Sequence, residues 1–525
     1  MAIYTSAMER SRDANQRQST SLPKVETLST VRVLFLFFLT AAGLAARLFC
    51  LTCKPFWFDE TFSVEVGRVS WPNFLHLLWW REANMSLYYL LLRIWLHFGD
   101  SPFMIRSLSA VIAAATVPVI YWLGSMLFNR RVALIAAALL AFNGYDVRYA
   151  QEARSYSLFV LLATLSSGFL IAFLKKPTAN RRVVYVLCSI LAVYAHFYAL
   201  LLIAAHWLAF RWRGTSASED ESTQSAEREM KSAWIAIGIA VLPLLIFVTK
   251  TGAGPIRWIH RPGLLDLVMF SVYFTDGRPL IYFAACLVTL FPFQRNLLER
   301  AHDWEKWRVH FLFVWLLFPV VLTVLLSFAR PVFLPRYMIF CIPALILLVA
   351  AGLASIGPNW LSAALAGLVV VLSAQFVPFV YSHDFDDERD ASVAAANMIL
   401  DHAHPADALV FHIAEARIPY EFVRSLRSGQ NTASPAFAGS IGPEVIFPHH
   451  GPGLSYQDFT GKPTAELLQK ELPDHSRVWV MLMNNGGVEK PDPTTIMLTQ
   501  VLPEMFPRMQ RWQLARVEVR LYSKD

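Results

Sequence analysis

The sequence is poor in charge and in cysteine, and both shortages narrow what it can be. Of its 525 residues only 16% are charged, whereas 55% are hydrophobic. It has five cysteines, none of them after Cys341, so no disulfide framework is predicted. Cys50 and Cys53, in "CLTC", have the spacing of redox motifs. Because they end an apolar run, we expect them to serve packing.

Long apolar runs, in contrast, are abundant. They recur from Val31 to Tyr381 and are long enough to cross a hydrocarbon core of roughly 30 Å. From residue 382 the sequence resembles an ordinary globular domain, in which "ADALVFHI", "SRVWVMLM" and "QLARVEVRLYS" favour strands and "ASVAAANMILDHA" favours a helix. The sequence therefore predicts a polytopic α-helical membrane protein with a soluble C-terminal α/β domain.

The net charge of +7 is typical of nucleic-acid binding as well as of membrane topology. Here the basic residues cluster in short loops between apolar runs, as in "NRR", "KKPTANRR" and "QRNLLERAHDWEKWR", which indicates cytoplasmic loops. We therefore expect no nucleic acid partner. Residues 1–30 are predicted to be a cytoplasmic tail, 31–381 a domain in the plasma (inner) membrane, and 382–525 an extracytoplasmic domain.

Counting the crossings between these loops predicts about eleven transmembrane helices. The run 85–98 is too short to cross, at roughly 21 Å as a helix, so we expect a juxtamembrane helix on the outer side. The run 183–211 has basic loops at both ends, which predicts a tight hairpin with its tip near His196.

With these sides assigned, acidic and basic residues gather outside. "FWFDE" contributes Asp59 and Glu60, and later segments contribute Arg106, Arg154, His196 and Arg336. Charges held at membrane depth are costly and usually line a polar site. Arginines suit phosphate geometry, and a carboxylate can act as a general base toward a hydroxyl. We therefore expect a cavity for a lipid-linked sugar phosphate.

Each residue also has a structural interpretation. Asp59 and Glu60 can cap a helix or pair with Lys54. Arg106 can extend to lipid headgroups, and His196 can be a core histidine. The remaining alternative is a set of local salt bridges, joining Arg148 and Arg154 to Asp146 and Glu152.

Several segments resemble a known family. They are "FWFDETFS", "SPFMIRSLSAV", "NRRVALIAAALLAFNGYDVRYAQEARSYSLFVLLATLSS", "YAHFYALLL" and "FLPRYMIFCIPALILL". Over residues 31–380 the chain is similar to the GT-C glycosyltransferases, and within them to the bacterial protein O-mannosyltransferase and aminoarabinose-transferase branch, family 39. The resemblance implies transfer of a sugar from a polyprenyl-phosphate donor to an extracytoplasmic acceptor.

The resemblance also implies residue roles. Asp59 matches the family's acid in the first outer loop and is the implied general base, with Glu60 beside it. Arg106 of "MIRSLSA" is the leading phosphate ligand. Arg154 of "QEARSY", Arg336 of "PRY" and His196 follow as donor-site residues. Relatives often carry a His/Lys-Pro-Pro segment where this chain has "EANMSLYY", which leaves the sugar and acceptor undefined.

The sequence thus predicts an inverting membrane glycosyltransferase, acting on a lipid, glycan or protein acceptor among membrane lipids. The alternatives are a transporter or flippase of lipid-linked saccharides, and a scaffold without activity. No cofactor is predicted. "FPHHG", with His449 and His450, and the acidic run "HDFDDERD" both lack metal-site spacing.

Overall fold

The structure is a computed structural model. It describes residues 30–213, 221–251, 259–290, 303–381, 391–428, 442–451, 453–483 and 491–524. Up to Tyr381 the described chain is helical, and the helices are α1 Thr30–Leu48, α2 Phe58–Arg68, α3 Trp71–Trp80, α4 Ser86–Trp95, α5 Pro102–Leu127, α6 Arg130–Phe142, α7 Gly144–Ala150, α8 Tyr156–Lys175, α9 Ala179–Ala195, α10 Ala199–Arg211, α11 Glu221–Thr251, α12 Leu264–Phe274, α13 Pro279–Val288, α14 Asp303–Ala329, α15 Ile342–Ser355 and α16 Asn359–Tyr381. A 3₁₀ segment, Pro335–Cys341, leads into α15.

Seven of the described helical segments are long and apolar enough to cross a membrane. They are α1, α5, α8, α11, α14, α16 and the segment Pro335–Ser355 that contains α15. An eighth is formed if α6 and α7, which are bent by 53° at their junction, make one broken span. The protein is therefore a multi-pass membrane protein. Of the eleven predicted crossings, the other three fall on α9, α10 and α13. Each of these helices is shorter than the 18 residues taken as the minimum length of a membrane span.

Two local predictions about the short helices can be compared with the structure, while the outer side predicted for residues 85–98 stays a prediction. α3 and α4 have 10 residues each, too few to cross a hydrocarbon core. The 183–211 run folds as the hairpin of α9 and α10, and His196 lies in the turn between them. The Asn84 side chain, just before α4, accepts a hydrogen bond from the Phe197 amide at 3.0 Å. The juxtamembrane segment and the hairpin tip therefore lie at the same end of the helical domain.

Small residues allow close helix packing in this domain. A Cβ atom placed at Gly352 in α15 would collide with the carbonyl oxygen of Ala285 in α13. At Gly124 in α5, a Cβ atom would lie 3.1 Å from the Cα of Ala133 in α6. Close backbone approach at small residues is a common way for helices to associate in lipid, where the hydrophobic effect no longer drives association.

The C-terminal part is a mixed α/β domain, as predicted. Its sheet has the order β2-β1-β3-β5-β4, in which β2, β1 and β3 are parallel and β5 and β4 run antiparallel to their neighbours. The strands are β1 Ala408–Phe411, β2 Glu444–Phe447, β3 Arg477–Met483, β4 Arg508–Leu514 and β5 Val517–Ser523, and the helices are α17 Ser392–His402, α18 Arg417–Ser428, α19 Ala465–Glu471 and α20 Pro493–Met505. The strands β1, β3 and β5 and the helix α17 were expected from the sequence.

This domain packs on α2, the helix that follows the first apolar run. The contacts of α2 and the chain around it with this domain include two aromatic pairs and two polar pairs, Phe56–Phe422, Phe62–Phe459, Arg68–Ser425 and Arg81–Glu415. The Arg68 guanidinium is almost completely buried and also pairs with Glu65 at 2.7 Å. The helix that carries Asp59 is therefore held between the membrane helices and the C-terminal domain.

Candidate active site

The chain between α1 and α2 contains a disulfide bond. It joins Cys50 to Cys53, which corrects the expectation that these cysteines only pack. Spacing alone did not distinguish the two outcomes, because a cysteine pair at this spacing can be reduced or oxidised. Cys53 is exposed, whereas Cys188, Cys286 and Cys341 are free thiols buried in the helical part.

Arg106 in α5 and Glu60 in the first turn of α2 form a buried ion pair. Its two contacts are short, 2.8 Å from Nε to Oε1 and 2.7 Å from Nη2 to Oε2. The side chains are 2% and 0% exposed. The guanidinium also lies over the Phe56 ring, 4.2 Å from its centroid. The geometry is the bidentate pairing that makes arginine–carboxylate contacts strong.

The other Arg106 donors bind the chain around the disulfide. Nη1 donates to the carbonyl oxygens of Leu51 and Lys54, both at 2.8 Å, and Nη2 donates to that of Pro55 at 3.0 Å. With the two bonds to Glu60, all five N–H groups of the guanidinium are used. Arg106 thus has no donor left for a phosphate in this conformation. Its geometry supports a structural role instead of the predicted role as leading phosphate ligand.

Asp59 has a more open environment than its neighbour Glu60. Its Oδ2 lies 3.4 Å from Arg154 Nη2 and 3.8 Å from Arg336 Nη2. The side chains of Asp59 and Arg336 are 24% and 20% exposed, so solutes can reach them, whereas the Arg154 side chain is nearly buried at 10%. Arg154 Nη1 also donates to the Asp59 carbonyl oxygen at 3.2 Å. Asp59, Arg154 and Arg336, which we call the open cluster, thus converge from three distant segments.

The structural interpretations of these acids can now be compared with the geometry. Trp57 occupies the N-cap position of α2 without a side-chain cap, so neither Asp59 nor Glu60 caps the helix. Asp146 pairs with Arg47 of α1 at 2.5 Å, and not with the neighbouring arginines of its own segment. Arg154 pairs with Asp59. The proposed local salt bridges of the "YDVRYAQEAR" segment are therefore replaced by long-range ones for Asp146 and Arg154.

The same segment contributes three hydrogen bonds that sequence reasoning missed. Gln151 Nε2 donates to the carbonyl oxygens of Arg47 at 3.2 Å and Phe49 at 2.7 Å. The Ala153 amide donates to Glu60 Oε1 at 2.9 Å. "QEAR" thus supports the chain before α2 as well as supplying Arg154. A polar glutamine within a run of family-like residues was the available signal, but its partners are backbone carbonyls that a sequence does not reveal.

His196 lies near the open cluster but is enclosed by aromatic rings. Its ring stacks on Phe159, with centroids 5.0 Å apart, and contacts Tyr337 at 4.7 Å. Burial, together with nearby Arg154 and Arg336, lowers the pKa of His196 to about 3. The imidazole is therefore neutral at physiological pH, which disfavours a role as a cationic phosphate ligand.

Glu82, in the turn between α3 and α4, is the second carboxyl group near the cluster. Burial raises its pKa to about 7, opposed by Arg154 and Arg81 and assisted by Asp59. The Glu82 carboxyl group therefore changes between its neutral and its charged form near neutral pH. Its interaction with Asp59 and Arg154 was not predicted from the sequence.

The histidines of "FPHHG" face different partners. His449 contacts Asp458 at 3.2 Å, whereas His450 contacts Glu444 at 3.3 Å. Across the described residues, no group of three or more His, Cys, Asp or Glu side chains could hold a metal ion. The acidic run at 384–390 lies outside the described residues.

The helical bundle, its short juxtamembrane helices, the acid after the first span and the sheet domain after the last span together define the GT-C fold. No family model and no curated protein matches the chain. Two crystal structures of ArnT, a GT-C aminoarabinose transferase from Cupriavidus metallidurans, share the fold. The apo structure aligns with a TM-score of 0.58 at 12% identity, covering 94% of this chain and 99% of ArnT.

The second ArnT structure is bound to undecaprenyl phosphate. It has a TM-score of 0.55 at 12% identity and covers 94% of this chain and 98% of ArnT. The oligosaccharyltransferase of Archaeoglobus fulgidus is less similar, with a TM-score of 0.47 at 11% identity and coverage of 74% and 61%. The two ArnT structures confirm the GT-C fold that the sequence motifs implied.

Proposed function

We propose that the protein is an inverting glycosyltransferase that moves a sugar from a polyprenyl phosphate to a hydroxyl group on an extracytoplasmic lipid, glycan or protein. The observation that carries the proposal is the open cluster. It combines a partly exposed acid with one partly exposed and one nearly buried arginine, on a fold shared with an aminoarabinose transferase. An acid can serve as a base for the acceptor, and two guanidinium groups suit a phosphate.

In this proposal the donor phosphate binds Arg154 and Arg336. Their contacts with Asp59, at 3.4 and 3.8 Å, are longer than the 2.7–2.8 Å contacts of the Arg106–Glu60 pair. The phosphodiester of the donor carries one negative charge, as a carboxylate does, and its two free oxygens can each accept hydrogen bonds from a guanidinium group. Binding of the donor would release the Asp59 carboxylate from its two partners, which prepares it to accept a proton.

The reaction then needs one displacement. The acceptor hydroxyl attacks the anomeric carbon and Asp59 takes the hydroxyl proton, while the bond from that carbon to the phosphate oxygen breaks. The electron pair leaves with the polyprenyl phosphate, whose growing negative charge is stabilised by the two arginines. Attack opposite the leaving group inverts the anomeric centre.

An apolar groove offers room for the lipid part of such a donor. The groove has a volume of about 590 Å³ and lies between α3, α4, α9 and α11. Its walls include Trp71, Leu78, Leu191 and Phe247, and Ala83, next to Glu82, also lines it. A groove of this composition suits an isoprenoid chain. We propose undecaprenyl phosphate as a suitable carrier, since ArnT binds it.

The disulfide supports the predicted orientation. Disulfides persist in oxidising compartments and are rare in the cytosol, and Cys50–Cys53 lies in the first loop beside Asp59. We therefore assign the open cluster and residues 382–525 to the extracytoplasmic side, with the N-terminus in the cytoplasm.

The proposal is tested by comparing cells that contain the wild type, Asp59→Asn or no protein. Mass spectrometry of envelope lipids and glycans should reveal a sugar that is present only with the wild type. Loss of a general base typically costs a factor of about 10²–10⁴. The purified Asp59→Asn protein should still bind undecaprenyl phosphate.

Asp100→Asn is the matched control, because Asp100 is also partly exposed and lies 3.4 Å from an arginine, Arg68. It should retain transfer. Normal transfer by Asp59→Asn would rule out Asp59 as the base. If no sugar is transferred by any form while a lipid-linked saccharide changes sides of the membrane, the flippase alternative is correct.

A further inference from the structure

We infer that Arg106, Glu60 and the Cys50–Cys53 disulfide form a clamp that positions Asp59, so that the transfer activity depends on the oxidised state of this cysteine pair. The inference rests on the proposed function for its effect on catalysis. Its structural part, a clamp closed by a disulfide, is independent of which reaction the protein performs. None of the three groups contacts a substrate in this assignment; they are positioning residues.

The clamp is built around the guanidinium of Arg106. Three of its five hydrogen bonds go to carbonyl oxygens of residues 51, 54 and 55, the chain that the disulfide closes or that follows it directly. The Cys53 amide also donates to the Cys50 carbonyl oxygen at 3.1 Å. Carbonyl groups converge on one cation only if the chain turns sharply, and Cys50 has a φ of 55°, in the left-handed region. The disulfide holds this turn covalently.

The clamp reaches Asp59 through Glu60. The Glu60 carboxylate accepts two bonds from Arg106 and one from the Ala153 amide, so its position is fixed on two sides. Asp59 precedes Glu60 in the first turn of α2, and one residue of helix sets the direction in which its side chain points. Arg154, which follows Ala153, donates to the Asp59 carbonyl oxygen. A shift of the 51–55 chain therefore moves the base relative to its arginines.

Cys53 is exposed, so a small reductant can reach the disulfide. With a water-soluble phosphine, the phosphorus attacks one sulfur and the S–S bond breaks. Water then gives its oxygen to the phosphorus and its two protons to the sulfurs. The products are two thiols and one phosphine oxide, and the turn loses its covalent closure.

The experiment uses the full-length wild-type protein in nanodiscs, before and after treatment with the phosphine. Differential alkylation and mass spectrometry first determine whether Cys50 and Cys53 are joined. Hydrogen exchange then follows the amides of residues 56–62 and of Ala153. Reduction should accelerate exchange there by at least about tenfold, because these amides would report local opening, while α15 keeps its protection.

Transfer at saturating donor should fall by about 10- to 100-fold on reduction, which is the cost expected of a displacement near 1 Å. The affinity for undecaprenyl phosphate should change much less, since Arg154 and Arg336 belong to chain segments other than the one that the disulfide closes. Reoxidation should restore the rate. The double variant C50S/C53S should transfer at the rate of the reduced wild type, and the phosphine should not change that rate. Cys188→Ser, which changes a buried free thiol, should lose activity on reduction as the wild type does.

Three results would overturn the inference. They are free thiols at both positions in the untreated protein, unchanged exchange at 56–62 and Ala153 after reduction, and accelerated exchange spread evenly over all helices. The last result would indicate general stabilisation. If the exchange changes as expected but the wild type transfers no sugar, the clamp stands and the proposed function fails.

Discussion

The two neighbouring acids Asp59 and Glu60 each face arginine, yet their surroundings are built differently. Glu60 and Arg106 are buried at 0% and 2% exposure, and the guanidinium uses every donor within the protein. Asp59 contacts Arg154 and Arg336 at longer distances, and the side chains of Asp59 and Arg336 are partly exposed. An arginine that matches a family motif is therefore a candidate phosphate ligand only if the protein itself does not already use all of its N–H groups.

The largest loss of stability is expected when the buried ion pair of Glu60 and Arg106 is broken. Glu60→Gln keeps the shape of the side chain but leaves the Arg106 cation without its anion. Removing one partner of a buried ion pair typically costs about 3–5 kcal/mol. Unfolding of the purified protein in detergent measures this loss. Asp59→Asn should cost less than about 1 kcal/mol, as expected for a partly exposed pair. Equal losses for the two variants would contradict the distinction drawn between the two sites.

The next effect concerns the open cluster. Arg336→Ala should weaken binding of undecaprenyl phosphate by about 10- to 100-fold, because one charge-assisted hydrogen bond contributes about 1.5–3 kcal/mol. Isothermal titration or native mass spectrometry provides the dissociation constant. Arg427→Ala is the control, since Arg427 is a partly exposed arginine paired with Asp401 at 2.7 Å in the C-terminal domain. Unchanged affinity in Arg336→Ala would remove Arg336 from the donor site.

A smaller effect depends on pH. Burial raises the pKa of Glu82 to about 7, so the group is neutral below that pH and negatively charged above it. A charge at Glu82 would repel the donor phosphate, so donor affinity should fall severalfold as the pH rises through about 7. Glu82→Gln should lack this component. Because the phosphate also titrates, the ratio of wild-type to variant affinity is the quantity to follow. A ratio that stays constant across this range would exclude Glu82 as the titrating group.

The smallest effect is expected at the contact between the two parts of the molecule. Glu415→Gln removes the partner of Arg81, the residue before Glu82. Both side chains are partly exposed, so the stability should change by less than about 1 kcal/mol in a detergent unfolding assay. Phe422→Ala, which removes the ring packed on Phe56, provides a contrast and should cost about 3–5 kcal/mol. A larger loss from Glu415→Gln would indicate that the polar contact, and not the aromatic one, holds the domain.

Much of the fold could be predicted from the sequence, because apolar runs between basic loops are a strong signal. The strands β2 and β4 were missed for different reasons. β2 has four residues, and β4, "RMQRWQL", is mostly exposed at the sheet edge and lacks an apolar run. The helices α9, α10 and α13 are too short to meet the length criterion for a membrane span, so the count of eleven crossings stays a prediction.

The candidate site could be predicted only in part. Asp59, Arg154 and Arg336 were predicted to lie on the same side, and the structure brings them together. Their roles in catalysis and donor binding stay predictions. The role of Arg106 could not be predicted, because its partners are the carbonyl oxygens of Leu51, Lys54 and Pro55. Every residue has a backbone carbonyl group, so a sequence does not indicate which of these groups accept hydrogen bonds from a side chain. The oxidation state of Cys50 and Cys53 could not be predicted either, because cysteines at this spacing can be reduced or oxidised.

The packing of α2 against the C-terminal domain also has a consequence for biosynthesis. Arg68 in α2 and its partner Ser425 in α18 are separated by 357 positions in the chain. The ribosome therefore makes the helix that carries Asp59 long before the surface that covers it. During translation that helix must remain incompletely packed until the last quarter of the polypeptide has been made and has folded. A newly made molecule would gain its activity only at that final stage, which protects the membrane from an unfinished enzyme.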